Sequence, residues 1–210
     1  MSEPVIATRM RYVRGDMARW EPNASERLRA AAVELFEERG YDRTTIADIA
    51  ARADLTERTF FRYFADKREV LFSGSEELEK LIVDGVAGAP KTMAPLDVVA
   101  QALAASSPIF EPRRAHARER QKLIAAHADL RERDLIKATK LTAALRGALE
   151  ARGLAAPTAA LLAQTGTTVF YSAFQRWIED AKKRDLAHHI ETIVAELREI
   201  TKPAKKTARR

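Results

Sequence analysis

Apolar side chains return every three or four residues along almost all of this chain, and no run alternates apolar and polar for long enough to predict a strand. The pattern predicts nine helices and an all-α fold. The first begins at the capping-box-like Asn23-Ala24-Ser25-Glu26, carries Leu28, Ala32, Leu35 and Phe36 on one face, and stops at Gly40. Two short helices follow. Thr45, with Asp48 three residues on, caps one whose inner face is Ile46, Ile49 and Ala50; Ala53-Asp54-Leu55 is a turn; Thr56 caps the next, with Phe60 and Phe64 pointing inward. A fourth helix is predicted from Val70 to about Asp84, broken by the glycines and prolines between Gly85 and Pro95. The rest is helical: from Leu96, from Glu111 toward His127, from Asp129 to Arg152 with Leu135, Thr139, Thr142, Leu145 and Leu149 as its stripe, then Thr158 to Ala181 and Asp185 to Ile200.

The pair of short capped helices is the helix-turn-helix arrangement. Its second helix has a polar first turn, as a helix entering a major groove about 12 Å wide requires. The ordered series Ser25 to Phe72 resembles the N-terminal domain of the TetR family of bacterial transcriptional regulators. The residues that carry this likeness are the helix Glu26 to Tyr41, Thr44-Thr45-Ile46-Ala47-Asp48-Ile49-Ala50, the aromatic run Thr59-Phe60-Phe61-Arg62-Tyr63-Phe64, and Lys67. Two departures stand out. Asp54 occupies a turn position usually held by glycine, so it must adopt a left-handed conformation. Phe61 stands where many relatives have a phosphate-binding tyrosine; without a hydroxyl it is left to contact a sugar or a thymine methyl.

The resemblance implies a nine-helix architecture: a three-helix DNA-binding head over 23–68, a helical effector-binding and dimerisation domain over 69–200, a flexible arm over 1–22 and a basic tail over 201–210. It implies that Thr45, Thr56, Glu57, Arg58, Thr59, Phe61, Tyr63 and Lys67 face DNA, with Arg58 the candidate for guanine readout and Tyr63 and Lys67 for phosphate. It further implies a homodimer on a palindromic double-stranded operator, joined through the last two helices, with a pocket for a small molecule in the middle ones. Residues 121 to 178, with Leu130-Arg131-Glu132-Arg133-Asp134 and Phe170 to Trp177, are similar to an actinobacterial subgroup that includes the mycofactocin regulator. That likeness suggests a hydrophobic, acyl-CoA-like effector, with the arginines of 113 to 120 near its phosphates.

Inside the second half, Phe170, Phe174 and Trp177 form one stripe with Tyr171 beside it. Such stripes are more often core or subunit interface than ligand cage. They are pocket candidates together with Phe110 and His127, the latter as a donor to a ligand carbonyl. Around His116, the arginines 113, 114, 118 and 120 read either as a solvated basic face or as a mouth for an anionic group.

Charge changes the picture less than it first suggests. The chain of 210 residues has net charge +6, but Lys202, Lys205, Lys206, Arg209 and Arg210 sit in a tail with no acid. Residues 1–72 hold thirteen Lys or Arg against thirteen Asp or Glu, so the DNA-binding expectation rests on where charges sit. The tail reads as a solubilising terminus or as a source of nonspecific phosphate affinity. The arginine-bearing arm reads equally as a groove-reaching segment or as an irregular start.

With no cysteine, thiolate and disulfide chemistry are excluded, and a reducing cytoplasm is the natural location; no run of about 18 apolar residues predicts a membrane span. His188-His189 is not a metal pair, since neighbours on a helix point about 100° apart and nothing completes the set. No glycine-rich phosphate loop, H-E-x-x-H or G-x-S-x-G occurs, so neither a cofactor nor catalysis is implied. The functional expectation is a ligand-released repressor. The alternative is a constitutive DNA-binding accessory or architectural protein with a filled pocket.

Overall fold

A computed structural model describes residues 24–202; the arm of 1–22, the capping residue Asn23 and all but the first two residues of the basic tail lie outside the described residues. Among the described residues there are nine α-helices of seven or more residues and one single turn of helix, with no strand. The head comprises α1 (Ala24–Arg39), α2 (Ile46–Arg52) and α3 (Glu57–Tyr63), closed by a 3₁₀ turn, Glu69–Phe72. The body comprises α4 (Ser75–Gly88), α5 (Pro95–Ala104), the turn α6 (Ser107–Phe110), α7 (Arg114–Ala126), α8 (Ala128–Ala151), α9 (Ala156–Glu179) and α10 (Leu186–Ile200).

The head is small, and its core is completed from outside. Leu28, Leu35, Phe36, Ile49, Phe60 and Phe64 meet under the helix-turn-helix, and Ile124 of α7 and Leu130 of α8 enter the same cluster. Each such side chain, fully buried, contributes roughly 1.5–3 kcal/mol, so the head draws part of its stability from the body. Gly40 ends α1 at φ +86°, and the Thr44 hydroxyl behind it donates to the carbonyls of Gly40 (2.9 Å) and Leu35 (3.2 Å).

Two boundaries differ from the sequence expectation. The segment after Lys67 is a 3₁₀ turn that breaks at Gly74, where φ is +85°, so α4 starts only at Ser75. That helix then runs through Gly85 to Gly88, because Gly85 is where α5 crosses: a Cβ there would stand 3.1 Å from the Ala102 Cβ. A glycine that permits close packing looks, in sequence, like one that breaks a helix.

The stripe of α8 also differs. Leu145 and Leu149 are buried as expected, but they align with Leu130 and Leu141, while Leu135 is 68% exposed and Thr139 faces solvent with it. At the far end of α8, Arg152 reaches across to the carbonyls of Val86 (2.9 Å), Ala89 (2.8 Å) and Pro90 (3.0 Å), satisfying the end of α4 and tying the two helices together. Gly166 of α9 allows a close approach to α5 and α8, since a Cβ would lie 2.7 Å from Val99 and 2.9 Å from Leu145.

Candidate nucleic-acid interface and effector cavity

The local chemistry of α2 and α3 is that of two well-capped short helices. Thr45 accepts from the Asp48 backbone N–H at 3.1 Å while the Asp48 carboxylate accepts from the Thr45 N–H at 2.9 Å, a reciprocal capping box. The Thr45 hydroxyl, donating to that carboxylate at 2.6 Å, and then the Thr45 N–H hold the Asp48 carboxyl below the usual carboxylate range. Thr56 caps α3 through the Thr59 N–H at 3.1 Å, and the two hydroxyls are 3.0 Å apart. Asp54 takes φ +54° in the turn, the left-handed conformation its position requires.

On this frame α3 turns Phe60 and Phe64 inward and leaves Thr56, Glu57, Arg58 and Phe61 exposed. Arg58 has no hydrogen-bond or ion-pair partner among the described residues, Glu57 beside it included. Phe61 is 55% exposed, edge-on to Phe60 at 5.6 Å. Tyr63 is half-buried; its hydroxyl accepts from Arg62 at 3.3 Å, and that guanidinium also lies 4.9 Å from its ring. Thr45 is exposed at the start of α2.

Lys67 is placed otherwise. Its ammonium donates to the carbonyls of Tyr41 (2.7 Å) and Thr44 (3.1 Å) and sits 4.1 Å above the Tyr41 ring. Partial burial lowers its pKa. The side chain thus clamps the α1–α2 loop from beneath, and at most one N–H remains for anything outside.

Of the pocket candidates, three converge and two do not. Phe110, Phe170 and Phe174 line a cavity of about 340 Å³ set between head and body. The Phe110 ring meets Phe174 edge-on at 5.4 Å and Phe170 at 6.0 Å. Tyr171 joins them, its hydroxyl pushed up to about 12 by burial. Trp177 is fully buried behind this wall, under the Arg114 guanidinium at 4.8 Å, and does not line the cavity. Its indole N–H has no partner among the described residues. His127 is elsewhere: it links α7 to α8 at the seam with the head, its ring tilted against the Tyr41 ring at 4.9 Å and 3.9 Å from the Asp42 carboxylate. Nothing in its local sequence separates these roles, because Tyr41 is distant in the chain.

Sequence reasoning missed that the head supplies one wall of this cavity. Glu26, Arg29, Ala30 and Val33 of α1, and Leu71 to Gly74, line it opposite the body. The arginines of 113 to 120 divide. Arg114 and Arg118 hold the α9–α10 end, Arg118 through the Ile178 carbonyl at 2.9 Å, and neither lines the cavity. Arg113, His116 and Arg120 do line it. Arg120 is nonetheless occupied, bonded to the Leu71 carbonyl (2.6 Å) and Asp134 (3.2 Å).

Comparison with known proteins agrees with the head's geometry. Residues 28–73 match the family model for bacterial regulatory proteins of the tetR family. The head of the chain, residues 28–73, is thus that of a TetR-type regulator. A curated relative, the HTH-type transcriptional regulator TcmR of Streptomyces glaucescens, is 32% identical over 80 residues, which are 38% of this chain and 35% of that protein. The match thus spans about a third of the length of this relative. The whole described chain has a TetR-like fold. It resembles FadR of Thermus thermophilus, a TetR-family repressor solved with lauroyl-CoA, at TM-score 0.53 and 23% identity over 89% of this chain and 99% of that one. FadR of Bacillus subtilis, solved with stearoyl-CoA, gives TM-score 0.55 and 20% identity over 82% and 96%.

Within the TetR frame, the described residues include no helix long and apolar enough to cross a membrane and no group of three or more His, Cys, Asp or Glu placed to hold a metal. His189 is buried against Asp180 at 3.2 Å, and His188 is exposed beside Arg184.

Proposed function

We propose that this chain is a ligand-responsive transcriptional repressor that binds a palindromic operator as a homodimer and is released by a small hydrophobic effector. The observation that carries the reading is the first turn of α3, capped by Thr56 and exposed, with Arg58 on it making no bond to the other described residues. A free guanidinium can span O6 and N7 of guanine. In this role Thr45, Thr56, Thr59 and Tyr63 serve phosphates, Phe61 a sugar or thymine methyl, and Glu57 a base edge. Lys67 holds the loop that presents them.

Pairing of α9 and α10 with those of a second copy sets two α3 helices about 34–36 Å apart, in successive major grooves. An effector filling the cavity touches α1 and the Leu71–Gly74 connection as well as α7 and α9. Its affinity therefore depends on how the head sits on the body. About 2.7 kcal/mol of differential affinity releases the operator a hundredfold. Phe110, Phe170 and Phe174 contact the apolar part. The open volume favours this reading over the constitutive accessory protein, whose pocket would be filled. The acyl-CoA ligands of the two FadR structures make acyl-CoA-like compounds the first class to try, in keeping with the likeness to the actinobacterial subgroup.

The test is selection of duplex DNA from a random library by the purified protein, repeated with acyl-CoA of several chain lengths. An enriched inverted repeat, lost from the protein on adding one of these ligands, is the expected result. An operator affinity and melting temperature indifferent to every hydrophobic ligand would leave the accessory reading standing.

A further inference from the structure

The mouth of the cavity contains an unequal ionic arrangement that spans head and body. Glu26 and Arg29 belong to α1, whereas Arg113 belongs to the turn before α7. Arg29 donates to Oε1 of Glu26 at 3.2 Å, and Arg113 donates to the same oxygen. One carboxylate thus serves two guanidiniums. Arg29 has otherwise only a long bond to the Ser73 hydroxyl, 3.4 Å. The other cations of the lining are paired on separate oxygens: Arg120 has Asp134, and Lys137 takes Oε2 of Glu69 at 3.2 Å while Arg133 takes Oε1. Burial and the nearby Arg113 charge both depress the pKa of Arg29, with Glu26 and Glu77 opposing them. Behind this mouth the cavity is apolar, walled by Val33, Phe72, Leu78, Phe110, Phe170 and Phe174.

Given the regulator reading above, on which it rests, the geometry points to an effector with an apolar tail and a terminal anion, whose anion takes Arg29 and Arg113 from Glu26. The exchange follows from charge. An incoming anion can offer each guanidinium an oxygen of its own, where Glu26 gives both the same one, and it repels the carboxylate it replaces. Expelling Glu26 breaks the ion pair between α1 and the start of α7, a direct tie between head and body. Glu26 is therefore an internal stand-in for the ligand's head group, and its displacement passes occupancy to the head. A fully exposed pair would be worth little, but two guanidiniums competing for one oxygen beside an apolar cavity give an anion an advantage that an uncharged head group lacks.

The experiment uses the full chain and three probes with one tail: decanoate, decyl phosphate and decanol. Binding is followed by calorimetry, and release by anisotropy of the selected duplex. At least one anion is expected to bind about tenfold or more tightly than decanol. Arg113→Ala is expected to remove most of that preference while leaving decanol affinity within about twofold. Glu26→Gln, which removes the competitor, is expected to strengthen anion binding several-fold, leave decanol unchanged, and reduce the drop in duplex affinity that the anion causes. Thermal melting of each variant confirms that it is folded. Equal binding of decanol and both anions, binding of none, or anion binding unchanged by Glu26→Gln would overturn the exchange. Anion preference without any effect on duplex affinity would overturn its role in transmission. A protein that selects no duplex at all, yet shows the anion preference and its loss in Arg113→Ala, would sink the regulator reading while keeping the site.

Discussion

Arg58 on α3 ends in solvent with no partner among the described residues, whereas Arg114, Arg118, Arg120 and Arg152 in the body each lay a guanidinium on backbone carbonyls. The same residue type is used in opposite ways. On α3 the backbone is satisfied by the threonine caps, so side-chain tips are left over for something outside the molecule. In the body, long cationic side chains from neighbouring helices are spent on the free carbonyls at the C-terminal ends of α4 and α9. The aromatic residues divide likewise: Phe61 stands out from the head while Phe170, Phe174 and Trp177 turn into the body. The exposed face of α3 is one whose internal needs have been met locally, and the cavity is one whose walls also hold the fold together.

The largest expected effect breaks this contrast on the body side. Trp177→Ala should cost about 3–5 kcal/mol in urea unfolding, the range for emptying a buried aromatic site. Trp177→Phe should cost much less, because the indole N–H has no bond to lose. A mild Trp177→Ala with altered ligand binding would return this residue to the cavity lining.

Lys67→Ala and Arg58→Ala sharpen the comparison within the head. The first removes bonds from a charged donor to two carbonyls and should lower stability by about 1.5–3 kcal/mol, with DNA affinity falling as the loop loosens. The second should leave the melting curve in place, weaken operator binding by about 1–3 kcal/mol, and relax preference at one base pair. If Lys67→Ala leaves stability untouched and instead reduces the salt dependence of binding, it is a phosphate anchor after all.

Smaller still is Asp54→Gly, which relieves a left-handed residue whose side chain is fully exposed; it should raise stability by up to about 1 kcal/mol, read by thermal denaturation. A loss would mean that the carboxylate has a role in the turn. The pH effect through α2 is the most modest. The folded-state pKa of Asp48 is depressed, so its contribution is complete above the ordinary carboxylate pKa and is lost as pH falls through the depressed one. Acid titration of the head's helicity should therefore show less loss in Asp48→Asn than in the parent at low pH.

What could be read in the sequence was what depends on near neighbours. Thr45 with Asp48, Thr56 with Thr59, the αL residue at Asp54 and the inward pair Phe60 and Phe64 are all settled within four residues, and the structure has them as the pattern implies. Apart from the break at Gly74, the departures are contacts made at long range. Lys67 meets carbonyls 23 and 26 residues away, and His127 meets the Tyr41 ring. Gly85 stays helical because α5 crosses it, and Leu135 is exposed because α8 turns Leu130 and Leu141 toward its neighbours instead. The cavity follows the same rule: its aromatic wall could be listed from one helix, but the part that α1 plays in it depends on how head and body dock.

The most direct test of the central claim, that α3 reads DNA from a symmetric pair, is to select duplexes with the parent and the Arg58→Ala protein side by side. The account predicts an inverted repeat with half-site centres a whole number of helical turns apart, about 10–10.5 base pairs each, and the loss of preference at one matched position in both half-sites for Arg58→Ala. Enrichment of a single unrepeated site, or identical preferences in the two proteins, would contradict it.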